Sequence, residues 1–327
     1  MVDTKQTTLK GGSLSQTSLI ERGNKKFIRK SVSLVQNREY GYVRWYSQLK
    51  KLQRYNQMFP NLFPKVLGTS YIDDKAYFDI EYMNGYSDLN AIMSGPNLTN
   101  EQLNKINHAL WNAFDQLHSV KYKANVGSPL LYYKEEVDQK IIDARKYDEF
   151  ETFFNYGTYE FNGEKIRGIQ NYHEQLKRFF SKIDLNTEET IHGNPTLENT
   201  MYSFDEDRIV FIDPYEESII DSRYLDYSMV LQSSNSYYEC INNRHVTIKD
   251  SIVSCGDFVP SSNLIKFNEL FVKGLPKSLE IIIVDILEAT QFIRMLPFKC
   301  AAGNFDHAKY FYLHACKLLS KLLSWTY

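Results

Sequence analysis

Asn199 and Asp213 are the side chains in this sequence whose setting best suits chemistry. The segment Ile191-His-Gly-Asn-Pro-Thr-Leu-Glu-Asn199 is followed by Arg208-Ile-Val-Phe-Ile-Asp-Pro214. A polar turn carrying His192, Asn194 and Asn199 thus precedes a short apolar strand, Ile209 to Ile212, which delivers Asp213 at its end. A hairpin would bring the oxygens of Asn199 and Asp213 to one place. That pair suits a hard cation such as Mg²⁺, which takes oxygen ligands and usually shares them with phosphates. Asn194 lies in the same turn. A carboxylate there could accept a hydroxyl proton, whereas an amide of nearly the same size accepts a hydrogen bond but is a very poor base.

The elements that must position this hairpin are legible upstream. Residues 8–33 read as a hairpin or small meander, with Gly11, Gly12 and Ser13 at a turn where glycine permits positive φ and close approach of backbone N–H groups to an anion. Lys26 to Val32 is β-like, with Ile28 and Lys30 on one face by the period of two. Residues 37–55 read as a helix from the recurrence of Tyr42, Val43, Tyr46, Leu49 and Leu52. Glu39 lies in phase with the first of these, and Lys30 is its nearest cation in sequence. Strands are predicted over 63–68 and 76–83, and Asn84-Gly85 breaks the second. Beyond this point the pattern turns helical: 100–118 with Thr99 or Asn100 as cap, pieces of 134–155, 172–183, 222–232 and much of 262–327. The change of character at 84–88 predicts a boundary between a first domain, 1–84, and a second, 85–327.

Composition sets outer bounds. In 327 residues, 43% apolar and 24% charged residues describe a folded chain rather than a disordered one. The net charge of −2 implies no bulk attraction to nucleic acid. Cys240, Cys255, Cys300 and Cys316 are widely spaced and read as free thiols, which suits a reducing cytoplasm. Neither a signal-peptide core nor an apolar run long enough to span a bilayer is present, so a soluble cytoplasmic protein is expected.

In this order, a Gly-Gly-Ser turn, strand Lys30, helix Glu39, a hinge strand and the hairpin, the chain resembles the aminoglycoside phosphotransferase and choline kinase family of small-molecule kinases. That family writes its catalytic loop His-Gly-Asp followed by Asn, and its metal strand Ile-Asp-Pro or Ile-Asp-Trp. His192-Gly193, Asn199 and Ile212-Asp213-Pro214 match, while Gly193 and the lack of an Ala-Pro-Glu segment separate the chain from protein kinases. Thr196-Leu-Glu-Asn199 and Phe211-Ile-Asp-Pro-Tyr-Glu-Glu217 also look like bacterial members encoded with capsule or surface-polysaccharide genes. The resemblance runs over residues 8–232, with 233–327 matching only as a helical tail.

The resemblance implies an α+β, bilobal, protein-kinase-like fold: a small N-lobe with an antiparallel sheet and one helix, and a larger, mostly helical C-lobe. It implies that Gly11, Gly12 and Ser13 cover the phosphates of ATP or GTP, and that Lys30, held by Glu39, neutralises them. Glu81 to Met83 would offer backbone groups to the purine, Asn199 and Asp213 would hold Mg²⁺, and His192 and Asp226 would brace the loop. The acceptor is expected against C-lobe residues of 121–175 and 233–310, with Tyr237, Tyr238, Glu239, Arg244, Arg294 and His307 as candidates. A sugar or surface-glycan precursor is favoured over choline or an aminoglycoside. The departure is Asn194, where the family has its catalytic Asp. Loss of a general base typically costs about 10²–10⁴ in rate, so the chain as written is expected to bind without efficient transfer. An introduced Asp→Asn change is favoured over a natural pseudokinase with a scaffold role, because Lys30, Glu39 and the metal pair persist.

Overall fold

The computed structural model describes residues 4–9, 15–36, 38–123, 128–183, 187–216, 218–256, 259–275 and 279–323, with backbone alone at 38–39, 123, 187–188, 279–280 and 321–323. The chain forms two compact units. One comprises Met1–Ile92, Asn104–Leu117 and His192–Ser218; the other comprises Met93–Leu103, His118–Ile191 and Ile219–Tyr327.

The first unit is built on a five-stranded antiparallel sheet of β1 (Thr4–Thr8), β2 (Gln16–Arg22), β3 (Lys25–Ser33), β4 (Val66–Ile72) and β5 (Lys75–Glu81), in the order β1-β2-β3-β5-β4. The pleat sorts its side chains. On β5, Ala76, Phe78 and Ile80 are buried, while Asp79 turns to the other face and takes a bidentate pair from Arg29 of β3 at 2.7 and 2.8 Å. Lys30, one residue on and opposite Phe78, therefore points inward. The strand predicted over 63–68 begins later, at Val66. Asn56 accounts for this: its amide donates to Pro64 O at 3.0 Å and its oxygen accepts from Val66 N at 2.9 Å, so the Pro64 segment is tied to the helix instead of to the sheet.

Helix α1 (Val43–Met58) is entered through a π-helical turn, Arg38–Tyr42. Its buried stripe is Trp45, Leu49, Leu52 and Tyr55, whereas Val43 and Tyr46 are 53% and 41% exposed. The stripe predicted through Tyr42, Val43 and Tyr46 is thus corrected. The indole of Trp45 offers more apolar surface than either and takes the inward place, its ring 5.4 Å from that of Phe78 and its Nε1 donating to Lys30 O at 3.3 Å. A π-turn also adds a residue per turn, so a strict helical period drawn through residues 38–42 runs out of phase.

The helix Asn100–Leu117 starts on a reciprocal cap. Gln102 N donates to Thr99 Oγ1 at 3.2 Å and Thr99 N donates to Gln102 Oε1 at 2.9 Å. In the first unit, Phe114 of this helix packs on Phe211 with ring centroids 5.4 Å apart. Phe211 ends the second strand of the hairpin Thr200–Ser203 and Arg208–Phe211, which is flanked on its free side by the two-residue strand Ser87–Asp88.

The second unit packs helices including Arg223–Ser234, Ser262–Gly274, Leu279–Arg294 and Phe305–Leu323 around a core that contains Phe292, Phe311 and Leu313. It also carries a four-stranded sheet of Thr158–Phe161, Glu164–Arg167, Val246–Lys249 and Ile252–Cys255. The helical pieces expected over 134–155 are present, at Tyr133–Asp138, Gln139–Ala144 and Asp148–Phe154, whereas the reading of 233–327 as a helical tail is corrected by the strands at Val246–Lys249 and Ile252–Cys255. Four-residue strands are too short to show a period of their own, and the parallel pairing of Ile252 and Val253 with Glu160 and Phe161 joins segments far apart in sequence. Among the described residues, no helix is long and apolar enough to cross a membrane.

Candidate functional site

In the first unit, Lys30 from β3, Gln48 from α1, Asn194 and Asn199 from the turn, and Asp213 past the hairpin line one polar cavity of about 250 Å³. Each reaches it for a local reason. Lys30 sits on the inward face of the sheet, with only 5% of its side chain exposed, and its ammonium pairs with Asp213. A buried ammonium without an anion would cost several kcal/mol, so this pairing is the condition for a lysine on that face. Lys30 Nζ also donates to Gln48 Oε1 at 3.4 Å.

The turn is organised through His192, which is fully buried with its ring stacked on Phe63 at 6.1 Å. Asn194 N donates to His192 Nδ1 at 3.1 Å, so that nitrogen is the acceptor, and Nε2 carries the hydrogen to Ile212 O at 2.8 Å. The imidazole thereby joins the turn to the strand that delivers Asp213. Asn199 Nδ2 donates to Asn194 O at 3.0 Å, which commits the nitrogen end of the amide, so Oδ1 is the end that could meet a cation. Gly193 has φ +84°, and a Cβ there would stand 2.9 Å from Ser218 Oγ and 3.2 Å from Tyr215 Cβ and O. Only glycine fits, which is why no larger residue follows His192.

Asp213 itself has φ +56°, a left-handed conformation unusual for a residue with a side chain. Around it, three carbonyls are held by side chains: Ile212 O by His192, Pro214 O by Gln48 Nε2 at 3.3 Å, and Tyr215 O by Lys51 Nζ at 2.5 Å. Arg44 donates to Glu216 Oε1 at 2.8 Å. Burial by itself would depress the Arg44 guanidinium, but the bond and charge of Glu216 outweigh it and hold the group well above its ordinary value. Arg44, Gln48 and Lys51 recur at helical spacing beside the buried stripe of α1, and the sequence reading did not single them out. That spacing was the available signal.

Gly11, Gly12 and Ser13, and the side chain of Glu39, fall outside the described residues. Glu81 and Met83 do not line this cavity: Glu81 N donates to Lys65 O at 2.9 Å, and Met83 O accepts from Tyr86 N at 3.3 Å in the turn at Gly85. Asp226 belongs to the second unit, fully buried, with Oδ2 3.0 Å from His118 Nε2. Of the acceptor candidates, Arg294 is paired with Glu136 at 2.8 Å and Glu239 accepts from Ser233 Oγ at 2.6 Å. His307 Nδ1 lies 2.8 Å from Asn304 Oδ1. Among the described residues no group of three or more His, Cys, Asp or Glu side chains could hold a metal; the Asn199 and Asp213 oxygens, which line one cavity, could serve an ion that brings further ligands of its own.

No family model and no curated protein matches this sequence. Among solved structures it is similar to a spectinomycin phosphotransferase in complex with ADP and spectinomycin, at 11% identity and a TM-score of 0.52, over 98% of this chain and 94% of that one. A likeness at such low identity speaks to architecture. The chain has a kinase-like α+β fold, with an antiparallel sheet in its N-terminal region and a largely helical C-terminal region.

Proposed function

We propose that the chain binds a nucleoside triphosphate, ATP or GTP, together with Mg²⁺, and is built to pass a phosphoryl group to a hydroxyl of a small metabolite. One observation carries this reading: Lys30, Asn199 and Asp213, from separate segments, line a single polar cavity beside Asn194 in a chain of kinase-like fold. Lys30 would meet phosphate charge, with Glu39 and the Gly11 to Ser13 turn assisting. Asn199 and Asp213 would hold the ion, which when bound would neutralise phosphate charge and fix the transferring group. The Lys30–Asp213 pair supports this, because the ligand and its ion can displace it without leaving net charge: the phosphate takes the lysine and the cation takes the aspartate. The residues 81–83 would serve the base, and His192 and Asp226 the loop.

The acceptor is proposed to be a sugar or surface-glycan precursor, on the strength of the Thr196-Leu-Glu-Asn199 and Phe211-to-Glu217 patterns. An aminoglycoside, favoured by the spectinomycin neighbour, and choline are the alternatives. A second reading, a nucleotide-binding pseudokinase with a scaffold role, is favoured by one feature, Asn194: its amide can hydrogen-bond a hydroxyl but cannot take its proton. Calorimetry with Mg²⁺ and ATP or GTP is the first test, and absence of binding sinks both readings. Turnover by Asn194→Asp on sugars, choline and aminoglycosides comes second. Transfer at least about a hundredfold above the parent chain supports the kinase; binding without transfer supports the scaffold.

A further inference from the structure

We infer that Lys51 of α1 is a positioning residue that presets the metal-binding oxygens of the proposed site, an inference that rests on the phosphotransfer reading above. Its ammonium donates to Tyr215 O at 2.5 Å and to His192 O at 3.3 Å. Those two carbonyls belong to different limbs of the site, the polar turn and the segment leaving Asp213. His192 O also accepts from Tyr215 N at 2.9 Å, so Lys51 closes a junction that the backbone has begun. At that junction Gly193 and Tyr215 approach closely enough to exclude a Cβ, and the ammonium adds donors to a carbonyl of each limb.

Strain sets the need for such a brace. Asp213 lies in a left-handed conformation that a side chain makes costly, and such conformations persist only where their surroundings over-determine them. The anchors lie on both sides of it: His192 holds Ile212 O, Gln48 holds Pro214 O, and Lys51 holds Tyr215 O. Lys51 joins the far side to the turn that carries Asn199, reinforcing the backbone bond from Tyr215 N to His192 O. Its reach is fixed in turn by the Tyr55 ring, 5.4 Å from Nζ on the same helix. Without it, the Asp213 and Asn199 oxygens would still be present, but their separation would no longer be set in advance, and a bound ion would have to supply the ordering.

The consequence is specific to the ion. Lys51→Met in the full chain should raise the Mg²⁺ concentration at the midpoint of ATP binding by about tenfold, as expected for losing hydrogen bonds from a charged donor. Binding of ATP without Mg²⁺ should stay within about twofold, since Lys30 is untouched. Lys51→Arg, which keeps the charge and reach, should restore most of the Mg²⁺ midpoint. Calorimetry at graded Mg²⁺ reads all three. An unchanged midpoint in Lys51→Met, or an equal loss with and without Mg²⁺, overturns the inference while leaving nucleotide binding by the parent chain intact. Failure of the parent chain to bind nucleotide overturns the phosphotransfer reading and this inference with it. If Lys51→Met does not fold, Lys51→Gln decides the matter: a shorter, uncharged side chain there should raise the same midpoint, and no rise counts against the inference.

Discussion

The Lys30–Asp213 pair is asymmetric in burial, with 5% of the lysine side chain exposed against 34% of the aspartate. Removing one partner is therefore not equivalent to removing the other. Asp213→Ala leaves an ammonium in a nearly dry place, whereas Lys30→Met leaves a carboxylate that water can reach. Asp213→Ala should cost about 1–3 kcal/mol of stability and Lys30→Met clearly less, measured by urea denaturation. Equal costs would contradict the burial argument. Gly193→Ala should cost about 1–3 kcal/mol by the same measurement, because a side chain at φ +84° is strained and its Cβ meets Ser218 and Tyr215. At this scale the sequence was informative where residue type alone drew notice: Asn199 and Asp213 line one cavity, and His192 ties their two segments together. It was silent on Arg44, Gln48 and Lys51, since polar residues on a helix ordinarily face water, and only tertiary structure turns Gln48 and Lys51 onto backbone carbonyls and Arg44 onto the Glu216 carboxylate.

For the elements, α1 gives the sharpest comparison. Its existence was legible from the recurrence of apolar residues, and its phase at Leu49 and Leu52, but not in the first turns, where the π-turn and the bulk of Trp45 decide which side is buried. Leu52→Ala should therefore cost about 2–5 kcal/mol, whereas Val43→Ser, at an exposed position, should stay within about 0.5 kcal/mol in the same denaturation series. The sheet of the second unit shows the opposite failure. Asn162-Gly163 takes positive φ at both residues, 48° and 80°, and joins the strands ending at Phe161 and starting at Glu164. That dipeptide is a strong hairpin signal, and it was there to be read. The strand pairing with Ile252 and Val253 was not, since nothing local specifies a partner so distant in the chain.

Titrating groups of the second unit give the whole chain two opposed pH dependences. Burial would push Glu189 upward, but its bonds to Arg223, 2.5 and 2.7 Å long, and the charge of that arginine hold it below the ordinary carboxylate value. A depressed carboxylate contributes stability above its unfolded value, and that contribution is lost as pH falls through the folded one. Asp285 runs the other way, pushed up to about 6 by burial. Its folded state holds the proton more tightly than the unfolded one, so stability declines as pH rises from the ordinary value towards 6 and stays reduced above. Asp285→Asn should then stabilise the chain at pH 7 by on the order of 1–3 kcal/mol and have little effect at pH 4, read from urea midpoints. A gain of the same size at both pH values would show that the effect is not electrostatic. Glu189→Gln should flatten the acid limb below pH 4.5.

The polar turn holds residue 194 by its main chain: the N–H is taken by His192 and the carbonyl by Asn199. The side chain at that position is thus left out of the architecture, although it would face the reacting hydroxyl. Asparagine and aspartate codons differ by a single base. On the phosphotransfer reading, a lineage or an experimenter could therefore move this chain between holding a nucleotide and using it in one mutational step, at almost no folding cost and in either direction. Sequence similarity elsewhere in the chain would carry no trace of which side of that step a relative is on.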